Sequence, residues 1–105
     1  MIIITGSVIT RPETHAEMVA ISVAHSQRSR AEPGCIAHNV HVDCEDGARL
    51  VFVERWQDGA AVLAHFRVPN SGNFVKSLTA LASEPPVMTI FTSEEISASS
   101  LAGVS

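Results

Sequence analysis

Apolar and β-branched residues are concentrated in four short segments, each bounded by residues typical of turns. Such segments are typical of β-strands, in which successive side chains point to opposite faces. The pattern predicts strands over residues 2–10, 35–43, 50–56 and 87–95. A Glu-Asp-Gly turn at 45–47 separates the second strand from the third, and a connection this short predicts an antiparallel hairpin.

The segment between the first two strands has the charge distribution of a helix that packs on a sheet. It begins near Pro12, which suits the first turn of a helix, and runs to about Ala31, just before Pro33 and Gly34. At about 100° per residue, the charged and long polar residues fall on one side, which we expect to face solvent. These residues are Glu13, Glu17, Gln27 and Arg28.

The opposite, inner side of this helix is short and polar where leucines would be expected. It consists of His15, Met18, Val19, Ser22, His25, Ser26 and Ser29. One interpretation is that small residues pack tightly on the sheet and the serine hydroxyls bond back to the helix. The other interpretation is that this side of the helix lines a cavity.

Two shorter helical segments follow the hairpin. Asp58 is expected to cap a helix over residues 60–67, and Pro69 is expected to end it. Asn70 or Ser71 is then expected to cap a further helix, whose apolar residues recur at helical spacing. The order of elements is therefore β-α-β-β-α-β, with the second helical region broken in two.

This order predicts an α+β fold of the ferredoxin-like type, a four-stranded antiparallel sheet with helices on one face. Val51 and Val53 point to the other face, and no segment remains to cover them. We therefore expect two copies to pack sheet against sheet as a homodimer. The domain is expected to span residues 1–95. Residues 96–105 are rich in serine and alanine, which predicts a loose tail or an arm that reaches a partner.

Composition and charge narrow the class of protein. Of the 105 residues, 46% are hydrophobic and 17% charged, with a mean hydropathy of +0.22. Either the core is unusually apolar or another subunit covers apolar surface, and we favour the second explanation. The net charge of −4 and the single lysine argue against nucleic acid or an anionic membrane as partner. The apolar runs are far shorter than the ~20 residues of a membrane span. With no recognisable secretory signal, we expect a cytoplasmic protein in which Cys35 and Cys44 are free thiols.

The hairpin register predicts one chemically interesting pair. If Asp43 faces Arg49, the numbers of paired residues sum to 92, and three pairs share the face that the helices cover. These pairs are His38–Glu54, Val40–Phe52 and Ile36–Trp56. Opposed side chains have Cβ atoms ~5 Å apart, so the imidazole and the carboxylate are within hydrogen-bonding reach. A carboxylate there would raise the imidazole pKa and fix its tautomer, which suits a general base. Alternatively, the pair is purely structural, or Glu54 bonds to Arg49, Arg55 or a helix terminus.

His65 is the second candidate base. With Leu63 and Phe66 as core anchors, its ring would either edge a pocket or face water. Metal-binding spacings are absent, since no C-x-x-C, H-x-x-x-H or E-x-x-H occurs, and His38 and His41 on one strand point to opposite faces. Flavin and nicotinamide fingerprints are absent as well. We therefore expect no metal and no cofactor.

Two stretches of the chain resemble a known family. Ser29-Arg30-Ala31-Glu32-Pro33-Gly34-Cys35-Ile36 is similar to the helix-to-strand junction of the antibiotic biosynthesis monooxygenases, and Val53-Glu54-Arg55-Trp56 followed by Ala64-His65-Phe66 is similar to their E-x-W…H-F stretch. The resemblance covers about residues 2–95. It implies a homodimer whose sheets form an α+β barrel, with a pocket between sheet and helices in each subunit.

The resemblance also implies a reaction. Some members of the family oxidise hydroquinones or anthrones with dioxygen and use no metal or flavin, because loss of a proton makes the substrate an electron-rich anion. Such a reaction needs a base, an apolar slot for a flat ring and a donor for the developing oxyanion. Carried over to this chain, the base would be His65 or His38, with Glu54 beside it. The slot and its polar groups would be Trp56, Phe52, Phe66, Ser22, Ser26 and His25.

Departures from the family pattern limit the choice of reaction. Heme-degrading relatives carry other residues where this chain has Ser7, His65 and Val75, so heme breakdown is disfavoured. Few Lys or Arg residues are available to bind a phosphate group, which argues against a phosphorylated substrate. The leading hypothesis is a cofactor-independent monooxygenase whose partners are a small aromatic, quinol-like substrate and dioxygen. The alternatives are a non-catalytic dimeric module that binds a small hydrophobic ligand, and a proton-transfer isomerase that uses the same histidines.

Overall fold

The structure, a computed structural model, describes residues 1–104. Its regular elements, in chain order, are β1 (Ile2–Ile9), α1 (His15–Ser29), β2 (Cys35–Val42), β3 (Arg49–Trp56), α2 (Gly59–Arg67), α3 (Pro69–Leu81), β4 (Val87–Thr92) and a 3-10 helix (Ala98–Gly103). Within the described residues, the four strands form one antiparallel sheet in the order β2-β3-β1-β4. This topology confirms the predicted ferredoxin-like α+β fold.

The core lies between the sheet and its helices. α1 packs on β2 and on α3, and α2 packs on α3 and β3. Two clusters of buried apolar side chains fill the space between these layers. They are Val8, Met18, Leu50, Phe52, Phe74 and Leu78 in the larger cluster, and Ile4, Trp56 and Val62 in the smaller.

Helix α1 has the orientation that its charge pattern predicts. Met18, Ser22, His25, Ser26 and Ser29 of the inner side are buried and His15 is half-buried, whereas Glu17 and Arg28 are exposed. The Ser29 hydroxyl donates to the His25 carbonyl at 2.7 Å, which is the back-bonding expected of a buried helical serine. Ser26 instead turns its hydroxyl towards the sheet. The inner side therefore combines tight packing with polar contacts to the sheet.

The hairpin has the predicted register over most of its length. His38 pairs with Glu54 and Val40 with Phe52. The predicted pairing of Ile36 with Trp56 is wrong, because a bulge between residues 35 and 37 places Cys35 opposite Trp56. The extra residue leaves the ladder, and Ile36 is 52% exposed.

The helical region after the hairpin differs from prediction in two ways. Asp58 caps α2 as expected, accepting the Ala61 N–H at 2.9 Å. α3, however, begins at Pro69 with Val68 as its N-cap, so the expected cap by Asn70 or Ser71 is wrong; proline lacks the N–H that a first turn leaves unpaired. The expected anchors of α2 are also wrong.

α2 turns Val62 and His65 inward and leaves Leu63 54% and Phe66 42% exposed. The helix has apolar residues on more than one side, so composition alone does not orient it. The buried position of His65 follows from this rotation of α2 against β3 and α3.

The face of the sheet opposite the helices is open and carries apolar side chains among polar ones. Val53, Val87 and Phe91 lie on it with exposures of 37%, 62% and 48%. Strand β4 ends at Thr92, three residues earlier than predicted, and the 3-10 helix beyond it is exposed throughout. Among residues 1–104, no helix combines the length and apolar character needed to cross a lipid bilayer.

Candidate functional site: a buried histidine cluster

Three histidines from three different elements meet beneath the helices. His25 comes from α1, His38 from β2 and His65 from α2, and their ring centroids lie 5.0 to 5.6 Å apart. Their exposures are only 6%, 0% and 4%. We call these three residues the histidine cluster. It forms because the inner side of α1, the covered face of β2 and the inward side of α2 all point to one place.

His38 is bonded through one ring nitrogen only. Its Nδ1 lies 2.9 Å from the Ser26 hydroxyl. Its Nε2 lies 3.4 Å from Oε1 of Glu54, but the geometry does not make a hydrogen bond, and this buried nitrogen has no hydrogen-bond partner within residues 1–104. His38 and Glu54 are thus neighbours, as predicted, but Nε2 of His38 is left without a hydrogen bond.

The expectation that Glu54 raises the His38 pKa is wrong. Burial lowers the pKa of His38 to about 3, with smaller contributions from His25, His65 and Arg30. Desolvation penalises the imidazolium more than the nearby carboxylate stabilises it. His38 is therefore neutral at neutral pH.

Glu54 is held by a tryptophan rather than by an arginine. The Trp56 indole Nε1–H donates to Glu54 Oε1 at 2.9 Å, whereas Arg49 pairs with Asp43 at 3.1 Å. Burial raises the pKa of the Glu54 carboxyl, and the Trp56 bond opposes this shift. Trp56 also packs on the histidine cluster, with its ring centroid 4.6 Å from that of His65. Glu54 and Trp56 thus form one wall of the site.

His65 has a carboxylate partner that the sequence analysis missed. Its Nδ1 lies 2.8 Å from Oε1 of Glu32, in the turn after α1. A carboxylate accepts the Nδ1–H, which fixes the tautomer and leaves Nε2 with its lone pair free. Glu32 lies 33 positions before His65, and no local pattern indicates that these two residues meet.

His25 packs face to face on a phenylalanine. The rings of His25 and Phe74 are 4.0 Å apart and inclined by only 7°. Burial lowers the pKa of His25 to about 4, with smaller contributions from His65 and Arg28. His25, expected to bind substrate, is thus a neutral member of the histidine cluster.

The remaining predicted site residues divide into two groups. Ser26 contacts the cluster through His38, and Ser22 is buried one turn earlier on α1 with no partner for its hydroxyl in the described part of the chain. Phe52 belongs to the larger core cluster and meets Phe74 edge to face. Phe66 is largely exposed, although its ring centroid is 5.9 Å from that of His65. The structure thus brings the polar candidates together and leaves Phe66 at the edge.

Two surface clefts lie close to the histidine cluster, and one side chain separates each of them from it. A cleft of about 370 Å³ between α2 and the α1–β2 turn is lined in part by Glu32, the partner of His65. A second cleft of about 250 Å³ between α1 and α3 is lined in part by Phe74, which stacks on His25. Neither cleft is lined by a histidine. Glu32 on one side and Phe74 on the other separate the cluster from these clefts.

Comparisons with known proteins agree with the fold. The profile of the family described as antibiotic biosynthesis monooxygenase matches residues 1–77. The uncharacterized protein sll1783 of Synechocystis is 30% identical over 90 residues, which is 86% of this chain. The chain spans 61% of the length of that relative.

Solved structures share the architecture at lower identity. Rv0793 of Mycobacterium tuberculosis superposes with a TM-score of 0.84 at 22% identity, covering 92% of this chain and 98% of that one. A crystal structure described as antibiotic biosynthesis monooxygenase superposes with a TM-score of 0.82 at 22% identity, covering 90% of this chain and all of the other. Together with the match over residues 1–77, these likenesses show that the chain belongs to the antibiotic biosynthesis monooxygenase family.

Proposed function

We propose that this chain is a monooxygenase that oxidises an aromatic, quinol-like small molecule with dioxygen and without an organic cofactor. In the proposed reaction, one oxygen atom enters the ring as a hydroxyl group and the other leaves as water, while the quinol becomes a hydroxyquinone. The substrate supplies all four electrons that dioxygen takes up. The protein has to remove a phenolic proton and hold the resulting anion.

The observation that carries the proposal is the hydrogen-bonded pair of His65 and Glu32. A base oriented by a carboxylate can accept a proton on its second nitrogen, because the carboxylate stabilises the imidazolium that forms. Nε2 of His65 is the nitrogen left free by the 2.8 Å bond from Nδ1 to Glu32. His38 lacks a hydrogen-bonded carboxylate, so we assign the base to His65 and a positioning role to His38.

The contact between His25 and Phe74 supports a flat substrate. Face-to-face packing at 4.0 Å indicates that the His25 ring accepts an aromatic ring on this side. In the proposal, the substrate enters from the 250 Å³ cleft, takes the place of Phe74 on His25 and presents its hydroxyl to His65. Trp56 closes the far side, and its indole holds Glu54 away from the substrate oxygen.

We further propose that the protein acts as a homodimer in a reducing, cytoplasmic compartment. Support for the dimer is the open apolar face with exposed Val53, Val87 and Phe91. Support for the compartment is that Cys35 and Cys44 are both free thiols.

The test is aerobic turnover of a panel of hydroquinones and anthrones by protein treated with a chelator. We expect oxygen consumption with at least one of these substrates. The rate of His65→Ala should be lower by a factor of about 10² or more, since a positioned base accelerates a reaction by at least that factor. Glu32→Gln should lose part of that rate. His41→Ala is the matched control, because His41 is exposed on the strand that carries His38, and it should keep the wild-type rate.

Three outcomes would contradict the proposal. Undiminished oxidation by His65→Ala would remove its base. Conversion of substrate that continues without oxygen would favour the proton-transfer isomerase. Tight binding of aromatic ligands with no turnover would favour the non-catalytic module, an alternative that the closed packing around the histidine cluster also supports.

A further inference from the structure

We propose that the histidine cluster is a binding site for one divalent transition-metal ion, with Zn²⁺ as the best match. The sequence analysis expected no metal, because no two of these histidines have a metal-binding spacing. The fold nevertheless brings one ligand nitrogen from each of His25, His38 and His65 to within 4.8 Å of the others. Binding of the ion does not depend on the proposed oxidation.

The separations fit a four-coordinate ion after a small adjustment. Zinc–imidazole bonds of 2.0–2.1 Å in tetrahedral geometry place the nitrogens about 3.4 Å apart. Closing the largest separation of 4.8 Å requires each of two rings to move by less than about an ångström. Because the three rings lie on three different elements, rotation of side chains can supply this movement without unfolding any of them.

The ring nitrogens that would not bind the ion already have the hydrogen-bond partners typical of metal sites. Metal-bound histidines almost always donate their other N–H to a carboxylate, a hydroxyl or a carbonyl. His65 does so to Glu32 at 2.8 Å, and the Nδ1 of His38 lies 2.9 Å from the Ser26 hydroxyl. The bond to Glu32 leaves Nε2 of His65 with a free lone pair, and Nε2 of His38 has one as well when its Nδ1–H donates to Ser26.

The unsatisfied nitrogen of His38 is an independent indication of a ligand. It is buried and has no hydrogen-bond partner in residues 1–104, which is uncommon because a buried polar atom without a partner destabilises the fold. Glu54 Oε1 lies 3.4 Å away without bonding to it. An ion bound at this nitrogen would give it the partner that it lacks.

The charges around the cluster balance a divalent ion. A buried double charge needs compensation, and two carboxylates are at hand: Glu54 beside His38, and Glu32 bonded to His65. Arg28 and Arg30 oppose the ion, but both are exposed and therefore screened by water.

The ligand set selects the kind of ion. Imidazole nitrogens suit zinc, copper, nickel and iron, whereas magnesium and calcium require mostly oxygen ligands. Three histidines match a zinc site in which three protein ligands leave the fourth tetrahedral position open. Bound zinc would occupy the Nε2 lone pair that the proposed oxidation uses, so we expect zinc to inhibit that reaction. This consequence, unlike binding itself, rests on the proposed function.

The test is direct binding of metal to the full chain after removal of metal by a chelator. We expect one Co²⁺ ion per chain with the intense visible bands of tetrahedral coordination, displacement of Co²⁺ by Zn²⁺, and a higher melting temperature with Zn²⁺. His25→Ala, His38→Ala and His65→Ala should each weaken Zn²⁺ binding about a hundredfold or more, and Glu32→Gln about tenfold. His41→Ala and His15→Ala, which alter histidines outside the cluster, are the matched controls.

The outcomes of this experiment separate the metal site from the proposed function. If circular dichroism shows that an alanine variant is unfolded, the glutamine variant at the same position replaces it. Absence of tetrahedral Co²⁺ bands in the wild type, or equal weakening by the control variants, would overturn the inference. A protein that binds zinc but oxidises no substrate after the zinc is removed would contradict the proposed function alone. Oxidation by a protein that binds no zinc would contradict the metal site alone.

Discussion

At the scale of single residues, burial controls the charge state of the site. It lowers the pKa of His25 to about 4 and that of His38 to about 3, and it raises the pKa of Glu54. Each shift favours the neutral form, because the interior solvates charge poorly. The two histidines therefore offer lone pairs rather than charges at neutral pH, whether to a substrate proton or to a metal ion.

These shifts predict a loss of stability in acid. The unfolded chain binds protons to His25 and His38 near pH 6.5, whereas the folded chain binds them only near pH 4 and pH 3. Stability is therefore highest above about pH 6.5 and falls as the pH is lowered below it. Protonation of Glu54, whose pKa is raised, offsets part of the loss. The pKa shift of His25 alone corresponds to a loss of about 3 kcal/mol in the free energy of unfolding between neutral pH and pH 4.

Urea unfolding of metal-free protein between pH 7.5 and pH 4.5 measures this effect. His25→Phe keeps an aromatic ring against Phe74 and removes one titrating group, so its stability should fall less steeply with acid. The other groups that surround these two positions are the same in the wild type and in His25→Phe, so they do not account for a difference in slope. They are Ser26, Arg28, Arg30, Glu54, His65 and Phe74. An equal slope for His25→Phe and the wild type would contradict the prediction, and His41→Ala should leave the slope unchanged.

At the scale of elements, the turn between α1 and β2 assembles the site. Gly34 has a φ of +82°, and its carbonyl accepts the Gln57 N–H at 2.8 Å, which ties the turn to the end of β3. A Cβ at this position would lie 2.6 Å from the Cβ of Ala61 on α2. The close approach brings the turn that carries Glu32 next to the helix that carries His65.

Gly34→Ala should therefore destabilise the protein. The left-handed conformation costs an alanine about 1–2 kcal/mol, and the overlap with Ala61 adds to this or pushes α2 away. Gly47→Ala is the matched control, since it has a negative or extended φ and open space around its Cα. Chemical denaturation should show a loss of more than about 1 kcal/mol for Gly34→Ala only; equal stability of the two variants would show that the junction tolerates a side chain.

At the scale of the whole molecule, the sheet has two unlike faces. Helices bury the side chains of β1 and β3 on one face but leave Met88 and Ile90 of β4 exposed there, and Val53, Val87 and Phe91 are exposed on the other face. Apolar surface in one contiguous area is typical of an interface, and packing of two such sheets would bury it. The same face lies on the side of the sheet away from the histidine cluster, so dimer formation and the site can be altered separately.

Phe91→Glu is predicted to separate the dimer into single chains. A charge buried between two packed sheets is left without a partner there, whereas it is solvated in the free chain. Light scattering should give twice the 11.2 kDa chain mass for the wild type and the single-chain mass for Phe91→Glu. Val75→Glu changes a residue of similar exposure on α3 and should remain dimeric. A wild type that is monomeric at micromolar concentration would contradict the dimer.

Local sequence patterns determined most of the secondary structure. The period of two along the strands and the short Glu-Asp-Gly turn were enough to pair His38 with Glu54, and charge alone oriented α1. Both inferences concern neighbours along one strand, one hairpin or one helix, where geometry follows from spacing. The bulge at Ile36 escaped prediction because an extra residue in a strand leaves the surrounding pattern almost unchanged.

Only the tertiary structure decided how the site is assembled. His25, His38 and His65 lie on separate elements, and Glu32 reaches His65 across 33 positions. Spacing along the chain predicts which face a residue occupies, but not what packs against that face. The direction of the His38 pKa shift was decided in the same way: desolvation depends on everything that surrounds the ring, and it outweighed the single carboxylate that the sequence placed beside it.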